Sequence, residues 1–301
     1  MKKKIKAIVT GGAGFIGSNL VDKLLDLGYE VIVIDNESTD AHESFYWNEK
    51  ASNYKIDICD YEAIKPLFKG VEYVFHLAAE ARIQPTLENP ILATQSNSVG
   101  TCTVLQCAKE SGVKRVIYSS TSSAYGLNNP IPNEETMVKD CLNPYSVTKT
   151  CGEELCQMYT RLFGLETVTF RYFNVYGNRQ PLKGQYAPVI GIFLRQKKAG
   201  QKLTIVGDGE QRRDFTNVED VVEANVLAAK SEGQFVSGGL FNIGTGKNYS
   251  ILEIAEIIGG DYAFIPPRLG ESRETLANIN KAKSILKWEP TIQLEQWLRD
   301  Q

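Results

Sequence analysis

Histidine is scarce in this chain: among 301 residues there are only His42 and His76. The six cysteines, Cys59, Cys102, Cys107, Cys141, Cys151 and Cys156, form no Cys-x-x-Cys pair. No metal is expected, because the ligand spacing of a zinc site is missing. The cysteines read as free thiols of a reducing cytoplasm, with Cys151 a buried helix residue and not a nucleophile. No apolar run approaches the roughly 18 residues of a membrane helix, so no membrane association is expected. Lys2-Lys3-Lys4 reads as a solvated start to the first strand, not a targeting signal. Neither charge sign dominates: 33 basic and 36 acidic residues leave a net charge of −3, and with it no electrostatic reason to expect nucleic acid. With 43% hydrophobic and 23% charged residues, the composition is that of a soluble globular protein, not a disordered one.

What the chain does have is a strand-and-helix rhythm through its first 180 or so residues. Strands are predicted at Ile5–Val9, Glu30–Ile34, Tyr54–Ile56, Tyr73–Leu77, Arg115–Ser119 and Thr167–Tyr172. Amphipathic helices are predicted at Phe15–Leu27, Tyr61–Phe68, Ile91–Ser111 and Tyr145–Phe163. Such alternation implies βαβ units in a doubly wound parallel sheet, with ligands at the strand carboxyl ends. Beyond about residue 175, closely spaced Pro and Gly break the rhythm into shorter pieces, with helices at Val218–Ser231 and Ile251–Ile258 and a strand at Leu240–Ile243. The fold class is therefore α/β: a Rossmann sheet over 1–175 and a smaller mixed α/β lobe over 176–301, with some elements interleaved.

Three local patterns carry chemistry. Gly11, Gly14 and Gly17 follow the first strand and open a helix, the arrangement that lets a backbone approach a pyrophosphate at a helix amino terminus. Asp35 ends the second strand, where a carboxylate bonds adenosine ribose hydroxyls and repels a 2′-phosphate, which favours NAD over NADP. Asp57-Ile58 and Leu77-Ala78-Ala79 follow the third and fourth strands and suit the same ligand; His76 beside them reads as a packed strand residue, not a base. Tyr145 and Lys149 stand at i and i+4 on one helix face. There an ammonium could favour the ionised phenol, whose ordinary pKa of about 10 is too high for a neutral-pH base. The hydroxyl run Ser119-Ser120-Thr121-Ser122-Ser123 follows a strand and could relay a substrate proton to that phenol.

In this order the motifs resemble the extended short-chain dehydrogenase/reductase superfamily, in its NAD-dependent nucleotide-sugar epimerase/dehydratase branch, along nearly the whole chain. The resemblance rests on Thr10–Gly17, His76–Ala79, Asn97–Thr101, Asn143–Lys149, Phe170–Gly177, Gly207–Thr216 and Phe241–Gly246. It implies a UDP-sugar 4-epimerase that oxidises a sugar carbon and then reduces it on the other face. Tyr145 would be the base, Thr121 the bridge, and Lys149 the group that binds nicotinamide ribose. Further cofactor contacts would come from Phe15, Ile16, Asn36, Asn97, Ser119 and Tyr172. Relatives that eliminate water carry an acidic pair where this chain has Ser122-Ser123, and decarboxylating ones an acid that Ala124 does not supply. A non-catalytic NAD-sensing relative, the reading from another class, typically lacks the tyrosine or lysine kept here.

At the substrate end, the resemblance implies a diphosphate clamp from Arg213 and Arg268, with Asn174 beside it and only one of Arg212 and Arg213 facing the phosphate. Ala187 and Val189, with Leu203 and Thr204, would line the uridine side, Glu271 would meet a ribose, and Ser122-Ser123 the sugar. Thr275, small where relatives can carry an aromatic gate, implies room for N-acetylated sugars. Gly184–Ile190 resembles the segment of epimerases acting on them. Arg82 could instead hold a uronate carboxylate, which makes UDP-glucuronate 4-epimerase the alternative. Helices near Thr94–Ser111 and Tyr145–Phe163 imply a homodimer through a four-helix bundle, with Val104, Leu105, Leu155 and Met158 serving that interface or the monomer core.

Overall fold

The computed structural model describes residues 4–39, 44–182, 187–233, 236–268 and 272–301. The first part of the chain runs β1 (Lys6–Thr10), α1 (Phe15–Asp26), β2 (Glu30–Asp35), β3 (Ser52–Lys55), α2 (Tyr61–Ile64), β4 (Tyr73–His76), α3 (Ile83–Glu88), α4 (Pro90–Thr94), α5 (Gly100–Glu110), β5 (Arg115–Thr121), α6 (Pro144–Phe163) and β6 (Glu166–Tyr172). There follow β7 (Val175–Tyr176), α7 (Val189–Lys198), β8 (Leu203–Val206), β9 (Arg212–Asp214), β10 (Thr216–Asn217), α8 (Val218–Lys230), β11 (Gly239–Ile243), β12 (Asn248–Ser250), α9 (Ile251–Ile258), β13 (Tyr262–Ile265) and α10 (Leu294–Arg299).

Seven strands form one sheet in the order β11-β6-β5-β4-β1-β2-β3, parallel at every pairing. Period-two alternation divides its buried side chains between two cores. Ala7, Val9, Val31, Val33 and Phe75 pack with Leu20, Leu24 and Val221 of α1 and α8. Ile8, Ile32, Val74, Val116 and Tyr118 pack with Val104, Leu105 and Cys156 of α5 and α6. Val104 and Leu105 are thus core residues. Strand order reverses at β1, which has β2 on one side and β4 on the other; this opens the crevice where such sheets bind ligands. After residue 176 the chain returns to the sheet, since β11 pairs with β6 and α8 packs on α1. A third core, including Phe193, Ile205, Ile254 and Leu298, sits beyond that edge.

Three local departures have physical causes. The edge strand β3 begins at Ser52, not Tyr54, and all its residues are exposed, so no apolar run marks its start. A π-helical turn, Gln95–Val99, interrupts the helix expected over Ile91–Ser111. Cys151 is exposed on α6, not buried; the buried face of α6 carries Lys149, Gly152, Glu153 and Cys156 instead. Helix α6 itself is well specified locally. Asn143 and Ser146 form a reciprocal capping box, Pro144 occupies its first turn, and Gly164 closes it in the left-handed conformation.

Candidate active site

The β1–α1 turn shows why glycine is needed there. Gly11 has φ +68°, and a Cβ on it would lie 2.7 Å from the Ala78 amide nitrogen. A Cβ on Gly17 would lie 2.1 Å from the Gly11 carbonyl oxygen. Gly14 caps α1 without a side-chain bond, so the first helical N–H groups are left to a ligand. A cavity of about 430 Å³ opens over this turn, lined by Gly11, Gly14, Phe15, Ile16, Gly17, Asp35, Asn36, Asp57, Ile58, Leu77, Ala78 and Ala79. Ser119, Thr121, Tyr145, Lys149 and Tyr172 line its inner end.

Backbone donors aim the Asp35 carboxylate: it accepts from Ala13 N at 3.1 Å and Glu37 N at 2.8 Å. Asn36 donates to Asp57 at 3.0 Å, joining the ends of two strands. Asn97 is the one expected cofactor contact that does not line the cavity. Its amide brackets Glu80, accepting from the backbone N at 2.8 Å and donating to the carbonyl at 3.1 Å, and reaches Thr148 at 3.0 Å. The π turn swings it inward, where it shapes the segment after β4. His76 is fully buried between Thr10 (2.7 Å) and Thr101 (2.9 Å). Burial pushes its pKa down to about 3, with Lys149 adding to the effect. It stays neutral and acts as a spacer between β1 and β4.

The expected catalytic residues come together where the end of β5 meets the first turns of α6. Burial raises the Tyr145 phenol above its ordinary value, and a hydrogen bond with Thr121 opposes that shift. Burial lowers Lys149 to about 7, against the opposing influence of Cys156 and Glu153. The Lys149 ammonium rests 4.4 Å over the Tyr118 ring, and the Tyr118 hydroxyl donates to the Lys149 carbonyl at 3.0 Å. Beside Lys149 the phenol thus stays above its ordinary value. The cause is desolvation, which disfavours phenolate and ammonium alike. Ser119 donates to the Tyr172 hydroxyl at 3.1 Å, and Asn225 to the same oxygen at 2.8 Å. Sequence reasoning missed Tyr118 and Asn225, since nothing local marks a partner brought in from another element.

A second, larger cavity of about 1050 Å³ adjoins the first, and Arg82, Ser122, Ser123 and Asn174 line both. Ala187, Val189, Thr204, Arg213, Arg268 and Thr275 complete the expected set, and Asn143, Arg195 and Gln211 join it unforeseen. Leu203 does not: it is fully buried in the third core. Along β8 burial alternates, so Thr204 and Val206 face the cavity while Leu203 and Ile205 face inward. Glu271 and residues 184–186 lie outside the described residues. Arg212 turns away to Glu253 and Asn248, both at 3.0 Å, leaving Arg213 on the cavity. Arg82 donates to Thr39 at 2.9 Å. Asn174, held at φ +29°, donates to the Asp214 carbonyl at 2.9 Å and to the Thr275 hydroxyl at 3.3 Å. That strained backbone is maintained by the bonds around it. Among the described residues, the lining of this cavity holds four arginines and no carboxylate. No group of three His, Cys, Asp or Glu among the described residues could hold a metal, and no described helix is long and apolar enough to cross a membrane.

The family model for the NAD dependent epimerase/dehydratase family matches residues 7–244. The chain belongs to this family. Its cofactor is NAD, and the glycine turn, Asp35 and the cavity above them fit that molecule. Over 300 residues, this family member is 38% identical to a putative UDP-glucose 4-epimerase of Methanocaldococcus jannaschii, covering 97% of this chain and 95% of the relative. It is 36% identical to a UDP-glucuronate 4-epimerase of Thermodesulfobacterium geofontis, covering 97% and 93%. Among solved structures, the UDP-glucose 4-epimerase of Thermotoga maritima with UDP-glucose matches with TM-score 0.92 and 37% identity, over 98% of this chain and 96% of that one. The UDP-N-acetylglucosamine 4-epimerase of Methanobrevibacter ruminantium, in complex with UDP-N-acetylmuramic acid, matches with TM-score 0.91 and 33% identity, over 99% and 97%. The UDP-glucuronic acid 4-epimerase of Bacillus cereus, with UDP-glucuronic acid and NAD, matches with TM-score 0.88 and 30% identity, over 98% and 97%. As a member of this family the protein is an NAD-dependent enzyme.

Proposed function

We propose that this enzyme is a UDP-sugar 4-epimerase that interconverts UDP-GlcNAc with UDP-GalNAc and UDP-Glc with UDP-Gal. The supporting observation is the larger cavity, with four arginines and no carboxylate among its described lining residues, which shares Ser122, Ser123 and Asn174 with the cavity that holds Thr121, Tyr145 and Lys149. Arginines there suit a diphosphate, and the lack of an acid beside Ser122-Ser123 argues against elimination. Bound NAD supplies a reversible two-electron acceptor. Tyr145 takes the proton of the sugar 4-hydroxyl through Thr121 as that carbon is oxidised and returns it as the same carbon is reduced, so no net redox change results. Lys149 anchors the cofactor ribose and, when charged, favours the phenolate. Residues 1–175 chiefly hold cofactor and 176–301 chiefly hold nucleotide-sugar.

The N-acetyl assignment rests on Thr275, a small side chain in the cavity wall against Asn174. Thr275→Tyr is expected to reduce turnover of UDP-GlcNAc about 10²-fold by filling the space of the acetamido group, with UDP-Glc changed only a few-fold. Equal losses on both substrates would remove Thr275 from this role. A second reading, UDP-glucuronate 4-epimerase, is favoured by Arg82, which lines both cavities. Product analysis by NMR with UDP-GlcNAc, UDP-Glc and UDP-GlcA separates the two; activity on UDP-GlcA alone would sink the N-acetyl proposal.

The homodimer belongs to the same proposal. Val99, Val147 and Leu162 are exposed apolar residues on or beside α5 and α6, a face that a second copy would cover. Light scattering should give the mass of two chains, and Val147→Lys with Leu162→Lys should give one.

A further inference from the structure

Beneath the catalytic cluster lies a buried ion pair. Glu153, on α6 one turn beyond Lys149, accepts from Arg171 of β6 through both carboxylate oxygens, at 2.9 and 2.8 Å. It also accepts from the Ser120 hydroxyl at 2.6 Å, and Lys139 stands 3.2 Å away. Ser120 lies between Ser119, which bonds Tyr172, and Thr121, which bonds Tyr145. It anchors from the opposite strand face, the one it shares with Tyr118. Gly152 lets the helix come that close, since a Cβ there would meet the Tyr118 hydroxyl at 2.2 Å. Burying two charges is costly unless they also hydrogen-bond, and replacing such a pair with apolar groups is often neutral or stabilising. Fold stability alone therefore does not account for this pair.

We infer that Glu153, clamped by Arg171 and Ser120, is a positioning residue of the catalytic centre: it sets the register of α6 against the end of β5 and supplies the negative field on Lys149. Of the groups around that ammonium, His76 of β4 is neutral, and Tyr118 of β5 and Tyr145 and Cys156 of α6 are all pushed up by burial. Burial also opposes ionisation of Glu153, but its bonds to Arg171 and Ser120 and the charge of Lys139 hold it below its ordinary value. It is the ionised acid in this set at neutral pH. With Lys149 lowered to about 7, removing that charge releases the lysine proton at lower pH still.

The inference rests on Tyr145 and Lys149 being the catalytic pair, so its test has a readout apart from turnover. In ¹⁵N-lysine-labelled holoenzyme, Glu153→Gln is expected to shift the Lys149 titration down by about one pH unit. Steady-state kinetics should show kcat lower by about 10-fold or more with KM within about 2-fold, and the high-pH fall in activity should move down with the lysine. Glu153→Asp should restore the titration. If Glu153→Gln does not fold, Glu153→Asp and Ser120→Ala decide: the first should keep the Lys149 titration, and the second should lower kcat several-fold without moving it. An unmoved titration in Glu153→Gln, a moved one in Glu153→Asp, or unchanged kcat in Ser120→Ala overturns the inference. Wild-type enzyme inactive on every UDP-sugar would instead overturn the proposed function and leave the titration to judge Glu153.

Discussion

Replacing Tyr145 with phenylalanine is expected to lower kcat about 10³-fold while NAD stays bound. The substitution removes one oxygen and keeps the ring, so the packing of α6 on β5 is retained. What is lost is the only group in the cluster able to take the sugar proton and return it. Thr121 remains, but without a phenol it has nowhere to pass a proton. Lys149 cannot take over, because its ammonium rests over the Tyr118 ring. Cofactor retention should be unaffected, since the glycine turn and Asp35 stand at the other end of the cavity. Turnover of the active UDP-sugar and the absorbance of released cofactor after denaturation check both halves. Activity within about 3-fold of wild type would remove Tyr145 as the base.

Gly17→Ala is expected to empty the enzyme of NAD, with affinity lower by at least about 10²-fold. In an ordinary helix interior this change would stabilise by about 1 kcal/mol. Here the added Cβ would lie 2.1 Å from the Gly11 carbonyl oxygen and 2.8 Å from the Gly12 Cα. Both are backbone atoms, so no rotamer change relieves the contact, and overpacking of this kind costs about 1–3 kcal/mol. The clash exceeds the propensity gain, and the displaced backbone is the one that approaches the pyrophosphate. Gly28→Ala is the control: at φ +82° it is strained, but nothing lies within 4 Å of the new Cβ. It should lower thermal stability modestly and leave NAD in place. Equilibrium NAD binding, with thermal unfolding of both variants, checks the comparison; normal NAD affinity in Gly17→Ala would contradict the close-approach argument.

The parts of the site readable from sequence are those whose chemistry is carried by neighbours in the chain. The glycine turn, Asp35 at a strand end and the i, i+4 pair Tyr145 and Lys149 are local patterns, and the cavity contains all of them. The resemblance carries Leu203 and Thr204 together to the pocket, whereas alternation along β8 sends Leu203 to the core and Thr204 to the cavity. Asn97, which the resemblance puts on the cofactor, has its amide on Glu80 through the π turn, a departure from helical phase that its local sequence does not mark. Cys151 is exposed because the face of α6 that meets the sheet carries Lys149, Gly152, Glu153 and Cys156, and which face that is depends on the packing.

The sequence by itself determined the α/β class, the cofactor-binding turn and the placing of Tyr145 and Lys149 on one helix face, because strand period, glycine geometry and helix spacing act over a few residues. Only the tertiary structure decided the electrostatics of that pair. Tyr118 reaches it from β5, and Arg171 of β6 and Ser120 of β5 hold Glu153 one turn away; burial, a property of the assembled sheet and helices, moves Lys149 to about 7. The two adjoining cavities, which join proton chemistry to a cationic pocket, likewise bring together residues as far apart in the chain as Arg82, Ser122, Asn174 and Thr275. Charge and desolvation depend on distance in space, and the chain order of those residues does not encode it.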